Sequence, residues 1–239
     1  MNIEENVRAV RQRIAAAAGG RQVTLVAATK MNGKDAVQRA IRAGIDACGE
    51  NRVQEMVEKL EQDAYAGAPL HFIGSLQKNK VKFVVGRCDL IHSVNSPALL
   101  EVIAKKAASL ELVQDVLLEV NIAGEASKTG FLPGELPQLL EAAERFSSVH
   151  VRGLMAIPPK SRKNGENRRW FAQMRELFID IGAKTYDNVT MDFLSMGMSD
   201  DFEDAILEGS NMVRVGTAIF GARHYDVPTV TDPMTNGGF

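Results

Sequence analysis

The sequence has few cysteines, no long apolar run and almost no excess charge of either sign. Its two cysteines, Cys48 and Cys88, have neither CxxC spacing nor paired histidines nearby, which argues against a zinc site and against a disulfide scaffold. No stretch approaches the roughly 18–20 apolar residues of a membrane span. The first residues carry acids and lack the apolar core of a secretory signal. These absences lead us to expect a cytoplasmic protein.

The charges of the chain are nearly balanced. Lys and Arg number 28 and Asp and Glu number 30, so the formal net charge is −2. Bulk electrostatics therefore does not favour nucleic acid or a membrane surface as a partner. Hydrophobic residues make up 45% of the 239 residues and charged residues 24%, as in ordinary globular proteins. This length is compatible with one large α/β domain or with two small domains.

Short apolar runs alternate with amphipathic segments along the chain. Residues 2–18 come first, with apolar positions at helical spacing, and Gly19-Gly20 ends this predicted helix. The runs that follow are typical of strands buried on both faces of a parallel sheet. The predicted strands are VTLVAATK, IDACG, LHFIG, CDLIHSV, LVQDVLLEVN, VHVRGLMAI, VTMDFLSMG and NMVRVGTAIFG.

Helices are predicted between these strands. They cover residues 34–43, 52–63, 78–85, 97–109 and 137–146, a segment around Trp170, and SDDFEDAILEG. Strands that alternate with helices imply parallel βαβ units, and about eight units in this length favour a closed barrel over an open sheet. We therefore predict an α/β protein with a single (β/α)8 TIM barrel over residues 1–225, including the extra leading helix. The turn-rich residues 226–239 are expected to form a flexible tail.

Lys30 ends the first predicted strand, and in such barrels the carboxyl ends of the strands carry the active face. Strand alternation places Val26, Ala28 and Lys30 on one side. If this side lines the barrel, Lys30 points into its mouth, where a partly desolvated amine could form a Schiff base with a carbonyl. The alternative is a lysine that leaves the strand into solvent. Position alone does not separate the two.

Gly- and Ser-containing segments follow the last two predicted strands. Phosphate sites in these barrels are often built from the loops after strands seven and eight together with a helix amino terminus. Ser195, Gly197 and Ser199 stand after the seventh strand core, and Gly216 and Thr217 after the eighth. For one such loop alone, turn chemistry with Ser199 as a helix cap is the commoner explanation. Two such loops in the expected places favour a phosphate-binding site.

Arg214 lies inside the eighth predicted strand. Because Val213 and Val215 point to the other face, its guanidinium is expected to face the barrel interior. A buried arginine needs partners. Glu119 or Asp192 could form a structural ion pair with it, and the alternative is contact with a ligand.

Six short motifs occur in one order along nearly the whole chain. They are VAATK, GENRVQE, HFIGSLQKNK, GLMAIPP, LSMGMSDDFEDAI and VRVGTAIFG. Together they resemble the pyridoxal phosphate homeostasis proteins, or PLP-binding proteins, which look like the barrel domain of alanine racemase standing alone. The resemblance extends from the leading helix to about Tyr225 and implies a barrel like that of fold-type III PLP proteins.

The resemblance also implies pyridoxal 5′-phosphate (PLP) as the cofactor. Lys30 is then the lysine that forms the internal aldimine, and the segments Ser195–Ser199 and Gly216-Thr217 hold the phosphate. Arg214 is implied to face the pyridine nitrogen. No metal site is expected.

Three further residues are open to two interpretations, and a fourth has one. Asn51 could reach the hydroxyl side of the ring or orient Lys30, or it could cap the next helix. Met196 could pack on the ring, although methionines at such places are more often core filler. Lys128 could accept or relay the aldehyde, or be a surface lysine. His71 is expected to be structural, at the start of its strand.

An arginine opposite the pyridine nitrogen has a chemical consequence. Guanidinium can only donate, so the ring nitrogen stays unprotonated and the ring is a weaker electron sink. In alanine racemase the resemblance puts a second base on a separate domain, for which 239 residues leave no room. We therefore expect a monomer that holds PLP, or delivers it to recipient enzymes, with little or no turnover. The alternatives are an amino-acid racemase and another Schiff-base enzyme, such as an aldolase without bound cofactor.

Overall fold

Eight parallel strands form a closed barrel in the computed structural model, which describes residues 2–160 and 165–221. Each strand pairs with its sequence neighbours, and β1 closes the ring by pairing with β8, where Leu25 lies opposite Val213. The strands are β1 (Thr24–Ala28), β2 (Ala47–Glu50), β3 (Leu70–Phe72), β4 (Leu90–Val94), β5 (Gln114–Val120), β6 (Val149–Ala156), β7 (Val189–Ser195) and β8 (Met212–Val215). The predicted (β/α)8 TIM barrel is confirmed.

Helices connect the strands on the outside of the barrel. They are α1 (Ile3–Ala18), α2 (Lys34–Arg42), α3 (Val53–Glu61), α4 (Pro97–Ser109), α5 (Leu136–Ala143), α6 (Arg168–Gly182), α7 (Phe202–Leu207) and α8 (Thr217–Phe220), with 3₁₀ helices at Lys78–Phe83 and Pro133–Glu135. Within the described ranges, none of the helices has the length and apolar character needed to cross a membrane. The predicted tail, residues 226–239, and Tyr225 lie outside the described residues.

Helix α1 begins and ends where its sequence predicts. The Asn2 side chain accepts a hydrogen bond from the Glu5 amide at 3.2 Å, and Gly19 ends the helix in the left-handed conformation at φ 57°. Its buried stripe, which includes Val7 and Val10, packs on α2, α7 and α8. Helix α1 therefore packs against both the first and the last helices that surround the barrel, near the pairing of β1 with β8.

Two predicted elements differ from the structure. Residues Lys78–Phe83 form a 3₁₀ helix instead of an α-helix, with bonds such as Lys80 amide to Gln77 carbonyl at 2.9 Å. Strand β8 ends at Val215, and the apolar residues after it form α8, in which the Phe220 amide donates to the Gly216 carbonyl at 2.9 Å. A short apolar run has no period that separates a strand from a buried helical turn.

The hydrophobic core has two layers. The larger one lies between the strands and the helices, and it contains Leu25 and Ala27. The smaller one fills the barrel, and it contains Val26 and Ala28. The predicted alternation along β1 is therefore correct, and the residues that continue the inner face lead to the mouth of the barrel at the carboxyl ends of the strands.

Candidate functional site

A cleft of about 530 Å³ opens at the carboxyl ends of the strands. It is the place where the barrel rule predicts an active face. Six of the residues predicted from the sequence line it together: Lys30, Asn51, Ser199, Arg214, Gly216 and Thr217. They come from the ends of β1, β2, β7 and β8, so the fold brings separate parts of the chain to one place.

The cleft is lined by more positive than negative side chains. Its described lining residues include three cationic side chains and one carboxylate. The cations are Lys30, Lys160 and Arg214, and the carboxylate is Asp200. Lys160 and Asp200 were not singled out from the sequence, because a lysine and an aspartate in polar loops carry no distinguishing pattern. The excess of cations suits an anionic ligand even though the whole chain has a net charge of −2.

Lys30 stands two residues beyond the end of β1, in a turn whose backbone is held on both sides. On one side, the Thr29 carbonyl accepts from Lys59 Nζ at 2.7 Å. On the other side, the Met31 amide donates to the Glu55 carboxylate. Met31 has a φ of 62°, which is uncommon for a residue with a side chain. The turn that presents Lys30 is thus fixed by two charged residues of α3.

These two residues belong to a buried charged cluster. Lys59, 6% exposed, forms ion pairs with Glu50 at 2.6 Å and with Glu55 at 2.8 Å. Glu50 is fully buried and also accepts from the Thr29 hydroxyl at 2.6 Å. Burial raises the pKa of Glu50, while Lys59 and Thr29 act in the opposite direction. The sequence contains only an ordinary Glu-Lys i,i+4 pair here, so its burial could not be predicted.

The loops after β7 and β8 meet at Ser199. Its hydroxyl oxygen accepts from the Gly216 amide at 3.1 Å and from the Ala218 amide at 3.4 Å. The N-cap of α7 is Asp201, so the interpretation of Ser199 as the cap of that helix is wrong. Ser199 instead joins the β7 loop to the start of the last helix, at the edge of the cleft.

Gly197 permits the sharp turn before Ser199. Its φ is 93°, and a Cβ atom there would lie 2.6 Å from the Ala205 Cβ. Glycine adopts this positive φ readily and has no Cβ atom to collide with Ala205, whereas the other amino acids meet neither condition without strain. The β7 loop can therefore pack closely on α7 and direct Ser199 toward the cleft.

Arg214 is 3% exposed and faces the barrel interior, as the strand alternation predicts. Its Nη1 donates to the Ser195 carbonyl at 2.9 Å and to the Ser195 hydroxyl at 2.5 Å, and its Nη2 donates to the Ala156 carbonyl at 3.0 Å. Of the two alternatives left open by the sequence, the ion pair does not form: Asp192 binds an arginine of β6, and Glu119 accepts from a loop threonine. Burial lowers the pKa of Arg214 to about 10.

Ser195 and Met196 are not among the residues that line the cleft. The Ser195 hydroxyl lies behind Arg214, where it also contacts Nδ1 of His92 at 3.1 Å. Met196 is fully buried in the outer core layer. His92 was missed by sequence reasoning, although its alternation with Leu90 on β4 points it into the barrel. His71 contacts the other ring nitrogen of His92 at 3.1 Å, inside the barrel.

Asn51 lines the cleft, and its Oδ1 atom is buried without a hydrogen-bond partner in the described part of the chain. Helix α3 has Arg52 as its N-cap, so the interpretation of Asn51 as the cap is wrong. Lys128 lies in a neighbouring pocket of about 380 Å³ that shares Asn51 with the cleft. Its Nζ donates to the Ile157 carbonyl at 3.2 Å and pairs with Glu125 at 2.7 Å.

Comparison with known proteins assigns the chain to a family. The family model "Alanine racemase, N-terminal domain" matches residues 1–224. A pyridoxal phosphate homeostasis protein of Aquifex aeolicus is 40% identical over 230 residues, which cover 94% of this chain and 100% of the relative. The Escherichia coli K12 protein of the same name is 40% identical over 235 residues, covering 94% of this chain and 98% of the relative. The chain belongs to the pyridoxal phosphate homeostasis protein family.

Solved structures agree with this membership. PipY of Synechococcus elongatus, whose structure was determined with PLP bound, has a TM-score of 0.80 and 32% identity, with coverage of 92% of this chain and 100% of PipY. An alanine racemase of Clostridium difficile has a TM-score of 0.67 at 16% identity and covers 93% of this chain and 58% of the racemase. This second likeness concerns the fold alone.

Proposed function

We propose that this member of the homeostasis protein family binds PLP covalently through Lys30 and takes part in intracellular PLP homeostasis. It holds the cofactor or delivers it to recipient enzymes, as a monomer in the cytoplasm, with little or no turnover. The observation that carries the proposal is the meeting of Lys30, Arg214, Ser199 and the start of α8 in one cleft. The shared name of the relatives and the PLP-bound structure of PipY support it.

The residues of the cleft fit the chemical groups of PLP. When bound, PLP supplies an aldehyde that condenses with a primary amine, which Lys30 offers at the mouth of the barrel. Three cationic side chains suit a phosphate ester. The partnerless Oδ1 atom of Asn51 is a buried acceptor within the described residues, and it suits the hydroxyl of the ring.

The phosphate is assigned to Ser199, Gly216 and Thr217. They offer the hydroxyls of Ser199 and Thr217 at the edge of the cleft, where the Gly216 and Ala218 amides hold the Ser199 oxygen in place. Ser195 acts behind the cleft through Arg214. Met196 contributes to the outer core and is not assigned to the ring.

Arg214 accounts for the low turnover in this proposal. Guanidinium carries five N–H donors, and the described residues accept from three of them. A donor that faces the pyridine nitrogen keeps this nitrogen unprotonated. The ring is then a weaker electron sink, and proton removal at the α-carbon of an amino acid is less favourable.

A spectroscopic titration tests the proposal. PLP added to the cofactor-free protein should produce a saturable visible absorption band at a stoichiometry of one per chain, and added L-alanine should keep its optical purity. Replacement of Lys160, the other lysine that lines the cleft, should leave the band in place. A colourless protein, or one that racemises alanine at the rate of an alanine racemase, would overturn the proposal.

A further inference from the structure

Four buried polar side chains form a continuous hydrogen-bonded chain across the barrel. The chain runs from His71 on β3 through His92 on β4 and Ser195 on β7 to Arg214 on β8. The His71 Nδ1 to His92 Nε2 distance is 3.1 Å, His92 Nδ1 to Ser195 Oγ is 3.1 Å, and Ser195 Oγ to Arg214 Nη1 is 2.5 Å. The four residues are between 0% and 7% exposed. One end of the chain lies in the cleft, and the other end lies on the opposite wall of the barrel.

Both histidines are neutral near pH 7. Burial lowers the pKa of His71 to about 4. Burial, reinforced by His71 and by the positive charge of Arg214, lowers the pKa of His92 well below its ordinary value. Each ring therefore carries one N–H and one acceptor nitrogen.

The hydrogen-bond inventory gives the chain a direction. Arg214 only donates, so Ser195 Oγ accepts from it. The one hydrogen of the Ser195 hydroxyl then has a single described acceptor, Nδ1 of His92. If His92 instead donated to Ser195, the hydroxyl hydrogen would be buried without an acceptor among the described residues, which costs free energy. The favoured order of donation is Arg214 to Ser195, Ser195 to His92 and His92 to His71.

This order stabilises the arginine without a carboxylate. Ser195 and the two histidines each direct an acceptor lone pair toward the Arg214 end of the chain and a hydrogen away from it. Their dipoles therefore point the same way and reinforce one another. An ion pair would neutralise the guanidinium directly, whereas its described hydrogen-bond acceptors are neutral, and the carboxylates of Asp201 and Glu119 act on it only through space. The bonds to Ser195 and Ala156 also fix the plane of the guanidinium, and two of its five N–H donors have no acceptor among the described residues.

We propose that Ser195, His92 and His71 are positioning residues that hold Arg214, which forms no ion pair among the described residues, as a cation of fixed orientation at the floor of the cleft. The ligand that benefits is the PLP of the proposed function, on which this inference rests. The residues do not touch the ligand themselves. Their effect is carried by the orientation and charge of the guanidinium.

The first test does not depend on PLP. In ¹⁵N-histidine-labelled protein, two-bond ¹H–¹⁵N spectra at pH 7 should identify His71 and His92 as neutral rings with the hydrogen on Nε2. Spectra of H71Q and H92Q assign the two rings among the four histidines of the sequence. A hydrogen on Nδ1 of His92, or a charged ring at either position, would overturn the proposed direction.

The second test compares His92→Leu with His92→Gln. A glutamine can accept from Ser195 and donate to His71, whereas a leucine can do neither. His92→Leu is expected to weaken PLP binding by about tenfold and to shift the absorption maximum of bound PLP, and His92→Gln to restore both toward the parent. His150→Gln is the matched control, because His150 lies near the amino-terminal end of β6, away from the cleft at the carboxyl ends of the strands, and its side chain is 32% exposed.

Ser195→Ala keeps the test decisive if His92→Leu does not fold. It removes the hydroxyl with little change in volume and should reproduce the weaker binding and the shifted spectrum. Parent-like affinity and spectrum in both Ser195→Ala and a folded His92→Leu would overturn the inference. If the parent protein itself binds no PLP, the proposed function fails, and the NMR experiment still decides whether the directed chain exists.

Discussion

Lys30 occupies a turn that is stabilised by buried charges of a neighbouring helix. Lys59 holds the carbonyl before it, and Glu55 holds the amide after it. Glu50 completes the cluster from the end of β2. A buried ion pair is costly to break but contributes little net stability when intact. We therefore expect this cluster to position the turn that carries Lys30 rather than to add net stability to the fold.

Lys59→Met tests how strongly this turn depends on the cluster. Methionine keeps most of the volume but leaves Glu50 buried without its cation, so the free energy of unfolding should fall by about 3–5 kcal/mol in urea denaturation. Lys105→Met is the matched control, since Lys105 pairs with Glu101 at the same i,i+4 spacing on an exposed helix face. It should unfold like the parent. Equal stability of the two variants would contradict the structural role of Lys59.

The buried histidines give the stability a pH dependence. The pKa of His71 is lowered to about 4 from an ordinary value of 6.5, so between these pH values the unfolded chain binds a proton that the folded chain does not. The free energy of unfolding therefore decreases as the pH falls through this window. In His71→Gln, the slope between pH 6.5 and 5 should be flatter by about 1 kcal/mol per pH unit, as measured by urea denaturation. An unchanged slope in His71→Gln would contradict the assignment.

At the scale of the elements, the site depends on how strands β7 and β8 end. Gly197 turns the β7 loop onto α7, and Gly216 changes β8 into the short helix α8. Ser199 then connects the two loops through the Gly216 and Ala218 amides. The phosphate-binding part of the proposed site is therefore a property of two loop conformations.

Gly197→Ala tests the β7 loop. An alanine here would have a positive φ and a Cβ atom 2.6 Å from the Ala205 Cβ. The substitution should therefore lower the free energy of unfolding by about 1–3 kcal/mol and weaken PLP binding. Gly134→Ala is the control, because its φ is not in the left-handed region and nothing lies within 4 Å of an added Cβ. Thermal denaturation and PLP titration of both variants measure the effects. If Gly197→Ala behaves like Gly134→Ala, the loop is not strained as described.

The sequence predicts correctly those features whose residue pattern lies entirely within one strand or helix. The alternation along β1 sufficed to direct Val26 and Ala28 inward and to bring Lys30 to the mouth. It failed where the outcome depends on several strands. His92 meets Ser195 only because of the registers that relate β4, β7 and β8. For the same reason the sequence left the partners of Arg214 open between carboxylates and a ligand, whereas the structure shows carbonyls and a hydroxyl.

At the scale of the whole molecule, a closed barrel collects the ends of distant strands into one cleft. The net charge of −2 is spread over the chain, yet three of the four charged side chains that line the cleft in the described part of the chain are cationic. The barrel interior behind them is packed with apolar residues and crossed by the hydrogen-bonded chain that runs from His71 to Arg214. In the proposed function this cationic cleft holds PLP, and Lys30 is its covalent attachment point.

Peptide mass spectrometry after borohydride reduction of the PLP-treated protein tests this claim most directly. The account predicts that the pyridoxyl group is found on Lys30, that Lys30→Ala loses the label, and that Lys160→Ala keeps it. A label found mainly on Lys160 or Lys128, or undiminished labelling of Lys30→Ala, would contradict the account.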